Sequence, residues 1–166
     1  MWNSAPEVIG LDCTDCVVKV VRLSVGEKIQ LLEQPMIKGI EGFVDYWYQL
    51  LKQSHNLFIV AEDHPNDPSG IIPLVERQFT VDRHHVAFRH PAYDLPFQEL
   101  GIGLDHRRAG TLALNKAYQI RASECTRVLI DHLSDLRGRL AAADLEAARL
   151  FLALNSSIYI QASNNF

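Results

Sequence analysis

The sequence is poor in cysteine, and it contains no long apolar run. Its 166 residues include only three cysteines, at 13, 16 and 125, and this odd, low number argues against a disulfide framework. No segment reaches the roughly 18 consecutive apolar residues of a membrane span or has the apolar stretch of a secretory signal. We therefore expect a cytoplasmic protein with reduced cysteines and no membrane association.

The sequence also lacks an excess of basic charge. Sixteen basic and twenty acidic side chains give a formal net charge of −4, which excludes a protein that binds nucleic acid through its overall charge. Any contact with nucleic acid must be local. The length of 166 residues and the hydrophobic content of 48% fit one globular domain over 1–166 with a sizeable core.

Apolar periodicity predicts an α/β protein that begins with a β-meander. The predicted strands are 8–11, 17–23 and 28–33. A helix follows from Gly39, and a continuous apolar run at 56–61 is typical of a central strand.

Helices and strands then alternate, as in a parallel sheet. We expect a short helix over 71–78, a strand over 85–89, a loop or short helical turn within 91–103, a long helix from 105 or 106 to a break at Gly138, and a final helix over 140–160.

Acidic side chains stand at the ends of these elements. Asp12 ends the first strand, Glu62 ends the central strand, and Asp144 lies in the first turns of the final helix. Each position also has a plain structural interpretation, because Asp is a common turn former, an acid can begin a solvated loop, and an acid near a helix N-terminus favours the macrodipole.

The order of elements and acids resembles the ribonuclease H-like fold of RuvC-type Holliday-junction resolvases and DEDD transposases. Residues 9–12 (Ile-Gly-Leu-Asp), 59–62 (Ile-Val-Ala-Glu) and 144–147 (Asp-Leu-Glu-Ala) are similar to the segments that carry three of the family's metal ligands. The resemblance implies a mixed central sheet, an antiparallel meander followed by parallel strands, flanked by helices.

A further segment, 104–113, is similar to the Asp-Glu-Arg-x-Ser-Thr-x-x-Ala segment of YqgF-type resolvases and makes Asp105 a candidate ligand. This chain departs from the patterns, because His106 replaces the YqgF-type Glu, Arg108 stands where transposases have a second Asp, and Ala141 replaces a resolvase acid or His. The acidic site is therefore incomplete by comparison with the family.

The resemblance implies catalysis by Asp12, Glu62, Asp105 and Asp144. Asp12, Glu62 and Asp144 would hold Mg²⁺ or Mn²⁺, and Asp105 or His106 would act on the attacking water or the leaving oxygen. It implies cleavage of branched DNA in recombination or repair, by a homodimer that cuts two strands. A local cluster of basic residues could contact phosphates, although a solvated polar face has the same composition: Arg83, Arg89, Arg107 and Arg108.

Three functions remain open on the sequence alone. The first is a divalent-metal-dependent endonuclease, and the second is a catalytically degenerate module of the same fold that binds or scaffolds. The third is an actin-like ATPase, because residues 10–21 also resemble the first phosphate loop of pilus-assembly ATPases. The Cys-x-x-Cys spacing at 13–16 falls in a predicted hairpin turn and favours neither a redox nor a zinc site.

Overall fold

A computed structural model describes the backbone over residues 5–63 and 67–140 and the side chains of 5–63 and 67–135. The strands are β1 (Glu7–Asp12), β2 (Val17–Val25), β3 (Ile29–Glu33), β4 (Met36–Lys38), β5 (Leu57–Glu62) and β6 (Val81–His84). The α-helices are α1 (Gly39–Gln53), α2 (Ile71–Glu76), α3 (Asp94–Leu100) and α4 (Arg107–Leu140), with 3-10 turns at Pro91–Tyr93 and Leu104–His106.

The strands form one mixed sheet in the order β3-β2-β1-β5-β6, and β4 pairs with β2. Strands β1, β2 and β3 pair antiparallel, whereas β5 is parallel to β1 and β6 is parallel to β5. The chain is thus an α/β protein whose mixed sheet is flanked by helices, as the sequence predicts. β1 lies between an antiparallel and a parallel neighbour.

One face of the sheet packs on α1 and α2. Alternation along β1 directs Ile9 and Leu11 to this face, where they join Phe43 and Trp47 of α1 and Ile71 of α2 in the main buried cluster. The apolar residues of α1 are spaced at three and four residues, so that one stripe of the helix is buried. This face holds the main buried cluster.

The first turns of α4 pack on the opposite face of the sheet, close to Gly10 of β1. A Cβ atom built on Gly10 would lie 2.1 Å from the carbonyl oxygen of Ala109 and 3.0 Å from the amide nitrogen of Ala113. Ala109, Ala113 and Ala117 are fully buried at a spacing of four residues, which forms a narrow face on the helix. Backbone therefore meets backbone here, and only glycine fits at position 10.

Several predicted boundaries differ from the structure. The strand expected over 85–89 is wrong, because β6 occupies Val81–His84, where its backbone pairs with β5 from Ile59 to Glu62. The break expected at Gly138 is also wrong, because α4 continues to Leu140. One glycine inside a helix costs only about 1 kcal/mol relative to alanine, which does not end it.

Other predictions agree with the structure in kind. The three strands of the meander, the helix from Gly39, the central strand and the short helix from 71 are all confirmed, with shifts of a few residues at their ends. The pattern did not predict β4, and the segment 91–103 contains α3, which is more helix than a single turn. The final helix predicted over 140–160 lies almost wholly outside the described residues.

The chain divides into two compact units, Met1–Ala117 and Tyr118–Phe166. The first contains the whole sheet, and the described part of the second is helical, from 118 to 140. The single domain over 1–166 stays a prediction. Among the described residues, no helix is both long enough and apolar enough to cross a membrane.

Replacing Gly10 by alanine should destabilise the fold by about 1–3 kcal/mol, because the new methyl group overlaps the backbone of α4 and the helix must move away from β1. Urea unfolding followed by circular dichroism measures this change. Gly26→Ala is the matched control, because a Cβ there meets only Ala5 Cβ at 3.8 Å. Equal stability of the two variants would contradict the close approach.

Candidate functional site

Two acidic residues end the adjacent parallel strands β1 and β5. The last paired residues of these two strands are Leu11 and Ala61, and Asp12 and Glu62 each follow by one residue. Alternation directs Asp12 to the same face as Gly10, which is the face covered by α4. The carboxyl ends of parallel strands are where ligands bind in open α/β sheets, which makes this edge the candidate site.

Asp12 is held by the turn that follows it. Its Oδ1 atom accepts hydrogen bonds from the Thr14 amide at 3.2 Å and from Thr14 Oγ1 at 2.7 Å, and the residue is only 5% exposed. The turn-forming role considered for this residue is therefore real. Because the turn fixes the carboxylate rather than turning it to solvent, the same contacts also orient it at the strand end.

Arg108 of α4 bridges the two acids. Its Nη2 atom donates to Glu62 Oε2 at 2.5 Å, and its Nε atom lies 4.0 Å from Asp12 Oδ1. The guanidinium carbon also lies 4.1 Å from the centre of the Phe88 ring, as in a cation–π contact. A single cation in reach of both carboxylates brings Asp12 and Glu62 into one site.

A small cavity opens at this strand edge. Its volume is ≈ 20 Å³, enough for about one water molecule or a small ion. The polar side chains of its lining come from the strand ends, the turns and α4: Asp12, Thr14, Glu62, Asp67, Arg83 and Arg108. Three carboxylates and two guanidinium groups thus surround a space of ionic size.

Asp67 belongs to this lining but also has a structural task. Its Oδ2 atom accepts from the Ile72 amide at 2.8 Å, and its Oδ1 atom accepts from the Ser69 amide at 3.1 Å and from the Ser69 hydroxyl. These bonds satisfy free amides at the start of α2. No pattern in the sequence indicated a place for Asp67 at the site.

Of the four predicted catalytic acids, Asp105 does not join this group. Asp105 lies in the 3-10 turn Leu104–His106, is exposed, and is not among the residues that line the cavity. Asp144 lies outside the described residues. The neighbouring His106 is buried, and its Nε2 atom lies 3.1 Å from the carbonyl oxygen of Pro35, so it ties the start of α4 to the β3–β4 turn.

The four predicted nucleic-acid-binding arginines are in different surroundings. Arg83 is exposed and lines the cavity, and Arg89 is exposed on the loop after β6. Arg108 is engaged with the two acids. These positions leave Arg83 and Arg89 with the most access to a nucleic-acid backbone.

Arg107 instead holds the loop over the site. Its Nε atom donates to the Phe88 carbonyl oxygen at 2.5 Å, and its Nη2 atom donates to the His90 carbonyl oxygen at 3.1 Å and pairs with Asp94 at 2.8 Å. These contacts fix the loop that carries Phe88, and the Arg107 side chain is only 20% exposed. Nothing in the residue pattern indicated Phe88 as a partner of Arg108, because the contact joins a loop to a distant helix.

Comparison with protein-family models, with curated proteins and with solved structures returned no match for this chain. The site is therefore interpreted from its own geometry.

The acid pair fits a cation site of limited coordination. Within the described part of the chain, no group of three or more His, Cys, Asp or Glu side chains could hold a metal ion together. Mg²⁺, however, is commonly bound by one or two carboxylates and completes its shell with water and substrate phosphate. Asp12 and Glu62 are a donor set of this kind, with Arg108 as the present counter-charge.

The Cys13 thiol beside the site is buried and unreactive. Burial, followed by the negative charge of Asp67, raises the pKa of Cys13 to about 12. Because the folded chain keeps the proton that the unfolded chain loses above its ordinary thiol pKa, this group lowers stability as the pH rises from about 9 towards 12. Cys16 and Cys125 are exposed, and none of the three is in a disulfide.

Iodoacetamide near pH 8 should therefore modify Cys16 and Cys125 but leave Cys13 intact, since the thiolate is the reacting species and Cys13 does not form it in the folded chain. Mass spectrometry of the digested protein measures the three sites separately. Modification in urea, where all three thiols should react, is the control. Rapid alkylation of Cys13 in the folded protein would contradict its burial.

Proposed function

We propose that this chain is a divalent-metal-dependent endonuclease that acts on branched nucleic acid and has a ribonuclease H-like fold. The observation that carries the proposal is the meeting of Asp12 and Glu62 at the ends of adjacent parallel strands, within reach of one guanidinium group. Two carboxylates so placed are a donor set that Mg²⁺ commonly takes from a protein in phosphoryl-transfer sites.

The arrangement of the sheet supports the fold part of the proposal. An antiparallel meander, β1 to β3, is followed by α1 and then by β5 and β6, which are parallel to β1. This is the order of elements that the resemblance to RuvC-type resolvases implies. Asp12 ends β1 and Glu62 ends β5, which supports the comparison with the first two acids of the family pattern.

Asp12 and Glu62 would hold the cation, with Asp144 as the third ligand that the resemblance implies. When bound, Mg²⁺ or Mn²⁺ supplies charge for the phosphate oxygens and lowers the pKa of a water that attacks phosphorus. Thr14 keeps Asp12 in a fixed orientation, so that little reorganisation is needed at the strand end. Arg83 and Arg89, exposed beside the site, would contact backbone phosphates.

A degenerate module of the same fold is the second candidate, and Arg108 favours it. The guanidinium group neutralises the acid pair without any metal, from a position where the related transposases carry an acid. Such a protein would bind nucleic acid or a partner through this edge and cut nothing. The two candidates share the fold and differ in one measurable property, which is cleavage.

In the nuclease, Asp12→Asn should lower Mg²⁺-dependent nicking of a synthetic four-way DNA junction by about 100-fold or more, because the amide removes the charge that holds the cation. The amide oxygen can still accept the Thr14 hydrogen bonds, so the turn should keep its structure. Denaturing gels of end-labelled junctions measure the rate.

Asp45→Asn is the matched control, since Asp45 is exposed on α1 at the other face of the sheet. The nicking rate of this variant should equal that of the wild type. Junction binding without nicking in Mg²⁺ and in Mn²⁺ would reject the nuclease and support the degenerate module. The absence of both nicking and junction binding would reject the nuclease and any degenerate module that binds branched DNA. Sedimentation of the junction complex would test the homodimer that symmetric cutting of two strands requires.

A further inference from the structure

Arg108 lines the cavity and bonds one of the carboxylate oxygen atoms that a cation would use. Its Nη2 atom is 2.5 Å from Glu62 Oε2, and its Nε atom is 4.0 Å from Asp12 Oδ1. A divalent ion bound at about 2.0–2.6 Å to these carboxylates would compete with the guanidinium for Glu62 Oε2 and for the negative charge of the acid pair. Each cation therefore weakens the binding of the other.

The guanidinium group is held in this position from two sides. Phe88 covers it at 4.1 Å, and the loop that carries Phe88 is fixed by the neighbouring Arg107 through the carbonyl oxygens of Phe88 and His90. The acids therefore face a cation that is positioned by the fold, rather than one that is drawn in from solvent by chance.

The hold on Asp12 is nevertheless incomplete. Among the residues that the structure describes, the buried Nε atom of Arg108 has no hydrogen-bond partner, since its distance to Asp12 is that of an ion pair only. The Arg108 side chain is 42% exposed, so it can leave the acids without first crossing the core. An imperfect bond and an open route are the properties of an exchangeable ligand.

We propose that Arg108 is a built-in competitor for the divalent cation: it neutralises Asp12 and Glu62 in the metal-free protein, and its hold on them weakens when the metal binds. The inference rests on the proposed metal site but not on cleavage. Arg108 then lowers the affinity for metal and stabilises the metal-free state, because without it two adjacent carboxylates lose their shared counter-charge.

Isothermal titration calorimetry with Mn²⁺, in the absence of nucleic acid, tests the competition. Arg108→Ala should bind Mn²⁺ roughly tenfold more tightly than the wild type, since the competing charge is gone. Phe88→Ala should tighten binding about two- to threefold, because it keeps every charge and removes only the ring that steadies the guanidinium. Lys28→Ala, an exposed charge on the β2–β3 turn, is the control and should bind as the wild type does.

Thermal unfolding provides the second readout. Arg108→Ala should melt at a lower temperature than the wild type without metal, and saturating Mn²⁺ should raise its melting temperature by more than it raises that of the wild type. Arg108→Lys keeps the positive charge but lacks the forked guanidinium group that reaches both acids. Its melting temperature without metal should therefore fall between those of Arg108→Ala and the wild type. This comparison also shows whether each variant folds.

The outcomes separate this inference from the proposed function. Equal Mn²⁺ affinity in the wild type, Arg108→Ala and Phe88→Ala, with the affinity lost in Asp12→Asn, would overturn the competition and leave the metal site in place. If Arg108→Ala binds Mn²⁺ more tightly but Phe88→Ala binds it as the wild type does, Arg108 acts only through its charge. That result would overturn the proposal that its position matters. No Mn²⁺ binding by any variant would overturn both the metal site and the competitor.

Discussion

The contact between Gly10 and the backbone of α4 is the constraint on which the site depends. Because position 10 has no Cβ, the helix lies against the middle of β1, and its small residues Ala109 and Ala113 are buried there. Two residues further along the strand, Asp12 then stands below the first turn of the same helix. The ion pair between Asp12 and Arg108 is possible only because the two backbones approach this closely.

The polar groups of the proposed metal site would serve both folding and metal binding through the same charges. Buried carboxylates need partners, and the metal-free chain supplies them through Thr14 and Arg108. The same carboxylates, together with Asp67, line the cavity at this strand edge, and hard cations favour such oxygen ligands. A stable metal-free fold and a high affinity for metal therefore make opposite demands on Arg108.

Much of the sheet could be predicted from the sequence because alternation and apolar runs report burial directly. Strands β1, β2 and β5 and helix α1 follow from these patterns, and so does the placement of Asp12 and Glu62 at strand ends. The position of β6 could not be predicted from the sequence, since its residues Val81–His84 are mostly polar and are ordered by pairing with β5. The partners of Arg108 could not be predicted either. In the sequence Arg108 is a candidate phosphate contact, whereas in the structure its side chain contacts two acids. Only tertiary packing decides between these two roles.

Arg107 and Arg108 are neighbours with different tasks, and helix geometry separates them. Successive residues of an α-helix point about 100° apart, so one arginine faces the loop after β6 while the next faces the strand ends. Gly10 sets the rotation of α4 through Ala109 and Ala113. A residue inserted before Leu104 could be absorbed by the exposed turn without altering either arginine. A residue inserted between Arg108 and Ala109 would bring Arg108 to the angular position of Arg107 and turn it away from Asp12, so the spacing of this segment is as much a part of the site as its side chains.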